Sequence, residues 1–213
     1  ASLDVGEMVD RHRLSPEEAF GVLQNEVRLA VLRVLWDATD TPIPYTELEE
    51  RTPVDTDNFH YHLEQLVGHF VRRTEDGYEL RYAGEEVVRA VVAGAITEGV
   101  SLDPIEIDSR CPYCGSSMML QYLDERLTAR CTGCGGVVRD DTLPHGTILS
   151  YSFPPAGVVG RSPEALLEAA HVLYDAKVTA MLEGVCPECA ATVGQALEVC
   201  DVHEPRDDGI CEA

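Results

Sequence analysis

The sequence predicts an α+β chain in two parts, a helix-rich N-terminal half carrying one hairpin and a cysteine-rich C-terminal half. Three observations predict it. Cys111, Cys114, Cys131 and Cys134 stand in the spacing C-x2-C-x16-C-x2-C. A later pair, Cys186 and Cys189, repeats the Cys-Pro-x-Cys of the first. In the N-terminal half, Asp76-Gly77 separates two short β-type runs inside an otherwise helical stretch, a strong hairpin signal.

The N-terminal elements follow in order over residues 14–98. Ser15-Pro16-Glu17-Glu18 reads as a helix start, with Ser15 as cap, Pro16 in the first turn and Glu18 closing a capping box. That helix runs to about Leu23. Asn25 caps the next, in which Val27, Ala30, Val31, Val34 and Leu35 share one apolar face and Arg28 and Arg33 lie off it. Pro42 and Pro44 break the chain, and a brief helix over 45–51 turns Leu48 inward. Asp55 is a good cap for a further helix with Phe59, Leu63, Leu66 and Val67 on one face, ended by Gly68. Runs 70–74 and 78–82 then flank the Asp-Gly turn, and a helical pattern returns from Ala83 to about Ile96. Helix, helix, short helix, helix, hairpin, helix is the winged helix-turn-helix plan.

In that plan the second helix of the pair enters the major groove with its N-terminal side chains toward the bases. Here those are Thr56, Asn58, His60 and Tyr61, with Asp57, His62 and Glu64 nearby. Asn58 can pair with adenine, and His60 or Tyr61 can reach bases or phosphate. Arg72, Arg73 and Arg81 on the wing can contact phosphates or the minor groove. Asp55 and Asp57 suit capping better than base readout, and His62 equally suits packing against the helix pair.

The stretch Asn25-Glu26-Val27-Arg28-Leu29, the Tyr61-His62-Leu63-x-x-Leu66 core and the Phe70-Val71…Asp76-Gly77 wing resemble the ArsR-like winged-helix transcriptional regulators, in particular archaeal members with C-terminal zinc ribbons. The resemblance covers residues 15–98 and implies a homodimer on double-stranded DNA. Residues 55–67 contain no cysteine, so that family's thiol-based arsenic or cadmium sensing is not expected here.

The C-terminal half reads ribbon, helix, ribbon. Two thiolates three residues apart on a tight turn can grip one tetrahedral Zn2+, and Gly115 and Gly135 follow the two pairs to let backbone amides turn toward sulfur. The first ribbon spans 107–143, after a linker at 99–106, with two strands between Met118 and Cys131 meeting near Asp124-Glu125. Connecting loops and a helix occupy 144–182. Ser162-Pro163 opens that helix, whose Leu166, Ala169, Ala170, Leu173 and Tyr174 lie on one side, with His171 as a surface residue. A second ribbon, 183–213, starts at Cys186 and Cys189. Two ligand sets remain open there. One adds Cys211 with a lost or borrowed fourth ligand, since the next C-x2-C position would fall after Ala213. The other adds Cys200 and His203, giving C-x2-C-x10-C-x2-H.

The charge is unusual: 38 acidic residues against 16 basic give a net −22, and Lys177 is the only lysine. This balance resembles proteins of salt-accumulating halophiles. Phosphate binding normally draws on released counterions and a basic footprint. In molar salt that driving force nearly vanishes, so an acidic DNA binder is consistent with such a habitat. No apolar run reaches membrane length and no secretory leader is visible, so metal-spaced cysteines point to a reducing cytoplasm. Catalysis is not expected, because no phosphate loop, Gly-x-Ser-x-Gly elbow or His-Glu-x-x-His is present. The expected function is therefore sequence-specific transcriptional regulation with structural zinc. The alternative is a zinc-ribbon adaptor that docks proteins of the transcription or RNA machinery, and a weaker third is a sensor with a labile second site.

Overall fold

The computed structural model describes residues 14–53, 57–138 and 140–196, in two compact units divided between Val92 and Ala93. Six α-helices and two antiparallel sheets lie among the described residues, a mixed α+β architecture.

Local hydrogen bonds start the first unit. The Ser15 side chain accepts from the Glu18 amide while the Glu18 carboxylate accepts from the Ser15 amide at 2.8 Å, opening α1 (Pro16–Leu23). Asn25 Oδ1 accepts from the Val27 and Arg28 amides at 3.0 and 3.3 Å and opens α2 (Glu26–Trp36). That helix buries Val27, Val31, Leu32 and Leu35. Against it pack Leu48 of α3 (Tyr45–Arg51) and Phe59, Leu63 and Leu66 of α4 (Phe59–Leu66). Each fully buried leucine of this core is worth about 2 kcal/mol of transfer free energy. Strands β1 (Val71–Arg73) and β2 (Tyr78–Leu80) pair antiparallel, placing Arg72 against Glu79 and Arg73 against Tyr78. Helix α5 (Tyr82–Val92) closes the unit and buries Val88.

Several boundaries differ from the sequence expectation. Asp55 and Thr56 lie outside the described residues, and Asp57 and Asn58 form a turn, so α4 begins at Phe59. The hairpin strands are three residues each, shorter than expected. Helix α5 ends at Val92 rather than near Ile96, and Gly94 takes a φ of 71° just beyond it. The chain between Pro42 and Pro44 does more than break. Ile43 exchanges two 2.9 Å backbone hydrogen bonds with Tyr78, adding one rung to the hairpin.

The second unit holds a sheet of order β3-β4-β5-β6, formed by β3 (Leu102–Arg110), β4 (Ser117–Leu123), β5 (Arg126–Cys131) and β6 (Thr147–Ser152). Two corrections follow. Most of the expected linker at 99–106 belongs to edge strand β3, and part of the expected connecting loop after 144 is edge strand β6. Backbone pairing to the central hairpin makes both into strands. The hairpin itself turns at Asp124 and Glu125, both left-handed at φ 49° and 60°. Met118, Leu120 and Tyr122 alternate inward, and Leu127 and Ala129 face the same core. Ser162 caps α6 (Pro163–Leu182), accepting from the Ala165 amide at 3.2 Å, and Leu166 and Ala170 of this helix cover the core. The buried Tyr122 hydroxyl donates to the Phe153 carbonyl at 2.8 Å, which satisfies both groups. No helix among the described residues is long and apolar enough to cross a membrane.

Candidate metal centre and nucleic-acid interface

The sheet brings the two cysteine pairs together. Cys111 opens the turn that follows β3, Cys131 ends β5, and the antiparallel register sets Met118 opposite Cys131. Cys111, Cys114, Cys131 and Cys134 consequently place all four sulfurs within 4.8 Å of one another. Two pairs join sulfurs from opposite turns, Cys111 with Cys134 at 3.8 Å and Cys114 with Cys131 at 3.4 Å. Four sulfurs at 2.3 Å from a tetrahedral zinc stand about 3.8 Å apart, so the cluster already has the right size. It could hold a metal ion, and thiolate donors suit a soft or borderline one.

Backbone amides aim at the sulfurs. The Gly133 and Cys134 amides donate to Cys131 Sγ at 3.2 and 3.3 Å. Gly115 takes φ 74°, as expected after the first pair. After the second pair the left-handed residue is Gly136, φ 71°, and not Gly135. A Cβ at Gly136 would also run into the backbone of Gly146 and Thr147. The Ser116 hydroxyl and amide, followed by Cys131, hold the Cys114 thiol down at about 6. Cys134 is pushed up to about 12: a hydrogen bond from the Gly136 backbone works the other way, but Cys131, burial, Cys114 and Cys111 outweigh it. One thiolate forms readily and the next resists, because a cluster of sulfurs tolerates several negative charges only around a cation.

The second pair of turns is present in part. Cys186 and Cys189 flank a tight turn directly after α6, while Cys200, His203 and Cys211 lie outside the described residues. Hydrogen bonds from the Glu188 and Cys189 amides, and from Cys189 sulfur, lower the Cys186 thiol.

In the first unit Asn58, His60 and Tyr61 are exposed at the start of α4, Tyr61 by 55%. Thr56 lies outside the described residues. The half-buried His62 accepts from Arg28 Nε at 3.5 Å, while Arg28 Nη1 donates to the Val22 carbonyl at 2.7 Å. Arg28 therefore braces α4 from α2, a role that its place off the apolar face did not reveal. His60 lies 6.1 Å from the Tyr45 ring. Arg72, Arg73 and Arg81 are all exposed, yet each has an internal partner. Arg72 pairs with Glu79 at 2.6 Å, Arg73 with Glu64 and the Tyr78 hydroxyl, and Arg81 donates to the Gly68 carbonyl. His171 packs edge-on against Tyr151 at 5.7 Å.

Residues 16–91 match the model of one domain of unknown function, DUF7347, and residues 108–212 match that of another, DUF7351. The second match takes in all eight cysteines. No curated protein and no solved structure matches the chain.

Proposed function

We propose that this chain is a sequence-specific DNA-binding regulator of transcription, with a winged helix in its first unit and structural zinc in its second. The observation that carries the reading is the exposed row Asn58, His60 and Tyr61 at the start of the helix that precedes an arginine-bearing hairpin. Helices α3 and α4 act as the helix-turn-helix pair, with α4 in the major groove and the β1–β2 hairpin as the wing. Asn58 reads adenine, and His60 and Tyr61 reach bases or phosphate. Thr56 joins them by its place in the sequence. Arg72, Arg73 and Arg81 contact phosphates.

The internal ion pairs do not oppose this. Arg72 and Arg73 are respectively 64% and 47% exposed at the side chain, and pairs so open to water are worth about 0–1 kcal/mol. A phosphate can replace the glutamate at little cost. The protein acts as a homodimer, as its resemblance to paired winged-helix regulators implies. In this reading the four-thiolate site is closed and structural, with no open position for a reacting water. It works in a reducing, salt-rich cytoplasm.

Fluorescence anisotropy in molar KCl tests the reading, with a labelled duplex from upstream of the protein's own gene beside a scrambled one. Saturable binding to the first duplex alone, abolished by joint substitution of Asn58, His60 and Arg73, is the expected result. Failure to bind either duplex with the first unit folded would overturn it in favour of a protein-docking adaptor. The excess of acids around the paired arginines is the feature that would then matter.

A further inference from the structure

A groove of about 360 Å3 opens in the second unit, between edge strand β6, the C-terminal half of α6 and the turn that follows it. Small-molecule sites start at about that size, 300 to 1,000 Å3. Apolar residues run nearly all round α6, and only Leu166 and Ala170 are buried in the core. Tyr174 and Met181 stay 44% and 38% exposed, and with Leu173 and Pro187 they give the groove a largely apolar wall. Tyr151 of β6 also lines it, its ring stacked 4.3 Å from that of Tyr174. The walls are tied together. Lys177 of α6 pairs with Glu188 of the turn, and Gln195 donates to the Met181 and Leu182 carbonyls at 3.1 and 2.5 Å.

The charge of the groove runs against that of the chain. The net charge is −22, yet Lys177, the only lysine, and Arg126 both line it, with Glu188 the one carboxylate among the described lining residues. The Lys177 and Glu188 side chains are 35% and 68% exposed, and an ion pair so open to water gives way readily to another anion. Arg126 Nε donates to Ser150 Oγ at 3.1 Å and makes no ion pair among the described residues. The Tyr151 hydroxyl makes no hydrogen bond there either, and burial, then Tyr174 and Asp175, push its pKa up, so it stays a donor. Two cations and a phenol donor beside an apolar wall suit an anion on an apolar body. A neutral ligand would leave the cations unused, and a small hydrophilic anion would leave the wall wet. In molar salt the Debye length falls to about 3 Å, so only such direct contacts can hold an anion on an acidic protein.

We propose that this groove binds a small organic acid, its carboxylate directed to Lys177 and Arg126 and its planar apolar body laid against Leu173, Tyr174 and Met181. The ligand carboxylate takes the place of Glu188 on Lys177, and charge-assisted hydrogen bonds hold it. The site lies wholly within the second unit and does not depend on DNA binding by the first.

The test is a proton–nitrogen NMR titration of the full chain, zinc-loaded and reduced in molar KCl, with benzoate and 2-naphthoate as probes. Saturable shifts confined to β6, the second half of α6 and the following turn are the expected result, with 2-naphthylmethanol binding roughly tenfold more weakly than 2-naphthoate. Lys177→Gln should weaken 2-naphthoate by roughly tenfold or more and leave the alcohol unchanged, while Lys177→Arg restores most of the loss. Met181→Gln should weaken both probes alike. Both side chains are partly exposed, and an unchanged spectrum away from the groove shows that each variant still folds. No saturable shift with either acid in the millimolar range would overturn the proposal. Equal affinity for the acid and the alcohol would overturn it too, since the groove would then be merely apolar, as would shifts centred elsewhere.

Discussion

Gly133 in the second turn of the four-cysteine cluster faces Ser116 and Cys114 of the first turn, and a methyl group there should push the two apart. Its φ is not left-handed, so alanine is tolerated by the backbone and the effect is steric alone. An added Cβ would stand 2.7 Å from Ser116 Cβ, closer still to Ser116 Oγ, and 3.7 Å from Cys114 Sγ. Rotating Ser116 relieves the hydroxyl contact but not the one to its Cβ. The Ser116 backbone is tied to Cys111 by a 2.9 Å hydrogen bond, so relief must come from separating Cys114 and Cys131, now 3.4 Å apart. Overpacking by one methyl costs about 1–3 kcal/mol. Charged to the metal-bound geometry, that is roughly a five- to 150-fold loss of zinc affinity. Competition with a chromophoric chelator measures it. The companion change Ser116→Gly removes both contacting atoms and should restore most of the affinity of Gly133→Ala, a coupling that a double-mutant cycle reads directly. Unchanged affinity in Gly133→Ala, or no rescue by the second change, would refute the packing argument.

Three further outcomes are expected. Asn58→Ala should cost about 1–3 kcal/mol on the specific duplex, and Arg73→Ala should weaken all duplexes alike, both read by anisotropy at fixed salt. In the metal-free protein the Cys114 thiolate, lowered from 9.0 to about 6, contributes stability that is complete above the ordinary thiol range and is lost as pH falls through about 6. Thiolate absorbance near 240 nm should therefore show a step close to pH 6 that Cys114→Ser abolishes. Chelation of the metal should lower the melting temperature of the second unit and leave the first unchanged, since the first is held by an apolar core around Val31, Leu32, Leu63 and Leu66. Calorimetry separates the two transitions.

What could be read along the chain is what local chemistry decides. Ser15, Asn25 and Ser162 cap helices through bonds to amides two or three residues away, so the starts of α1, α2 and α6 were legible. The cluster of Cys111, Cys114, Cys131 and Cys134 was legible for the same reason, since each C-x2-C pair is a local turn. Only the pairing of the two turns needed the sheet. The end of α6 at Leu182 and the turn at Asp124-Glu125 also fell where the pattern placed them.

The edge strands were not legible, because a single buried side chain, Ile107, marks β3, and Pro104 and Asp103 argue against a strand. Their conformation comes from hydrogen bonds to β4 and β5, partners that no local pattern names. The rung at Ile43 and the brace from Arg28 to His62 likewise join residues 35 and 34 positions apart. The partners of Arg72, Arg73 and Arg81 are another case: the sequence shows exposed arginines on a hairpin, and the fold sets glutamates or a carbonyl against them. Short-range hydrogen bonds and spacing thus specify the elements and the cysteine turns. Long-range pairing decides which edges become strands and which charges face each other, because those energies exist only once distant segments meet.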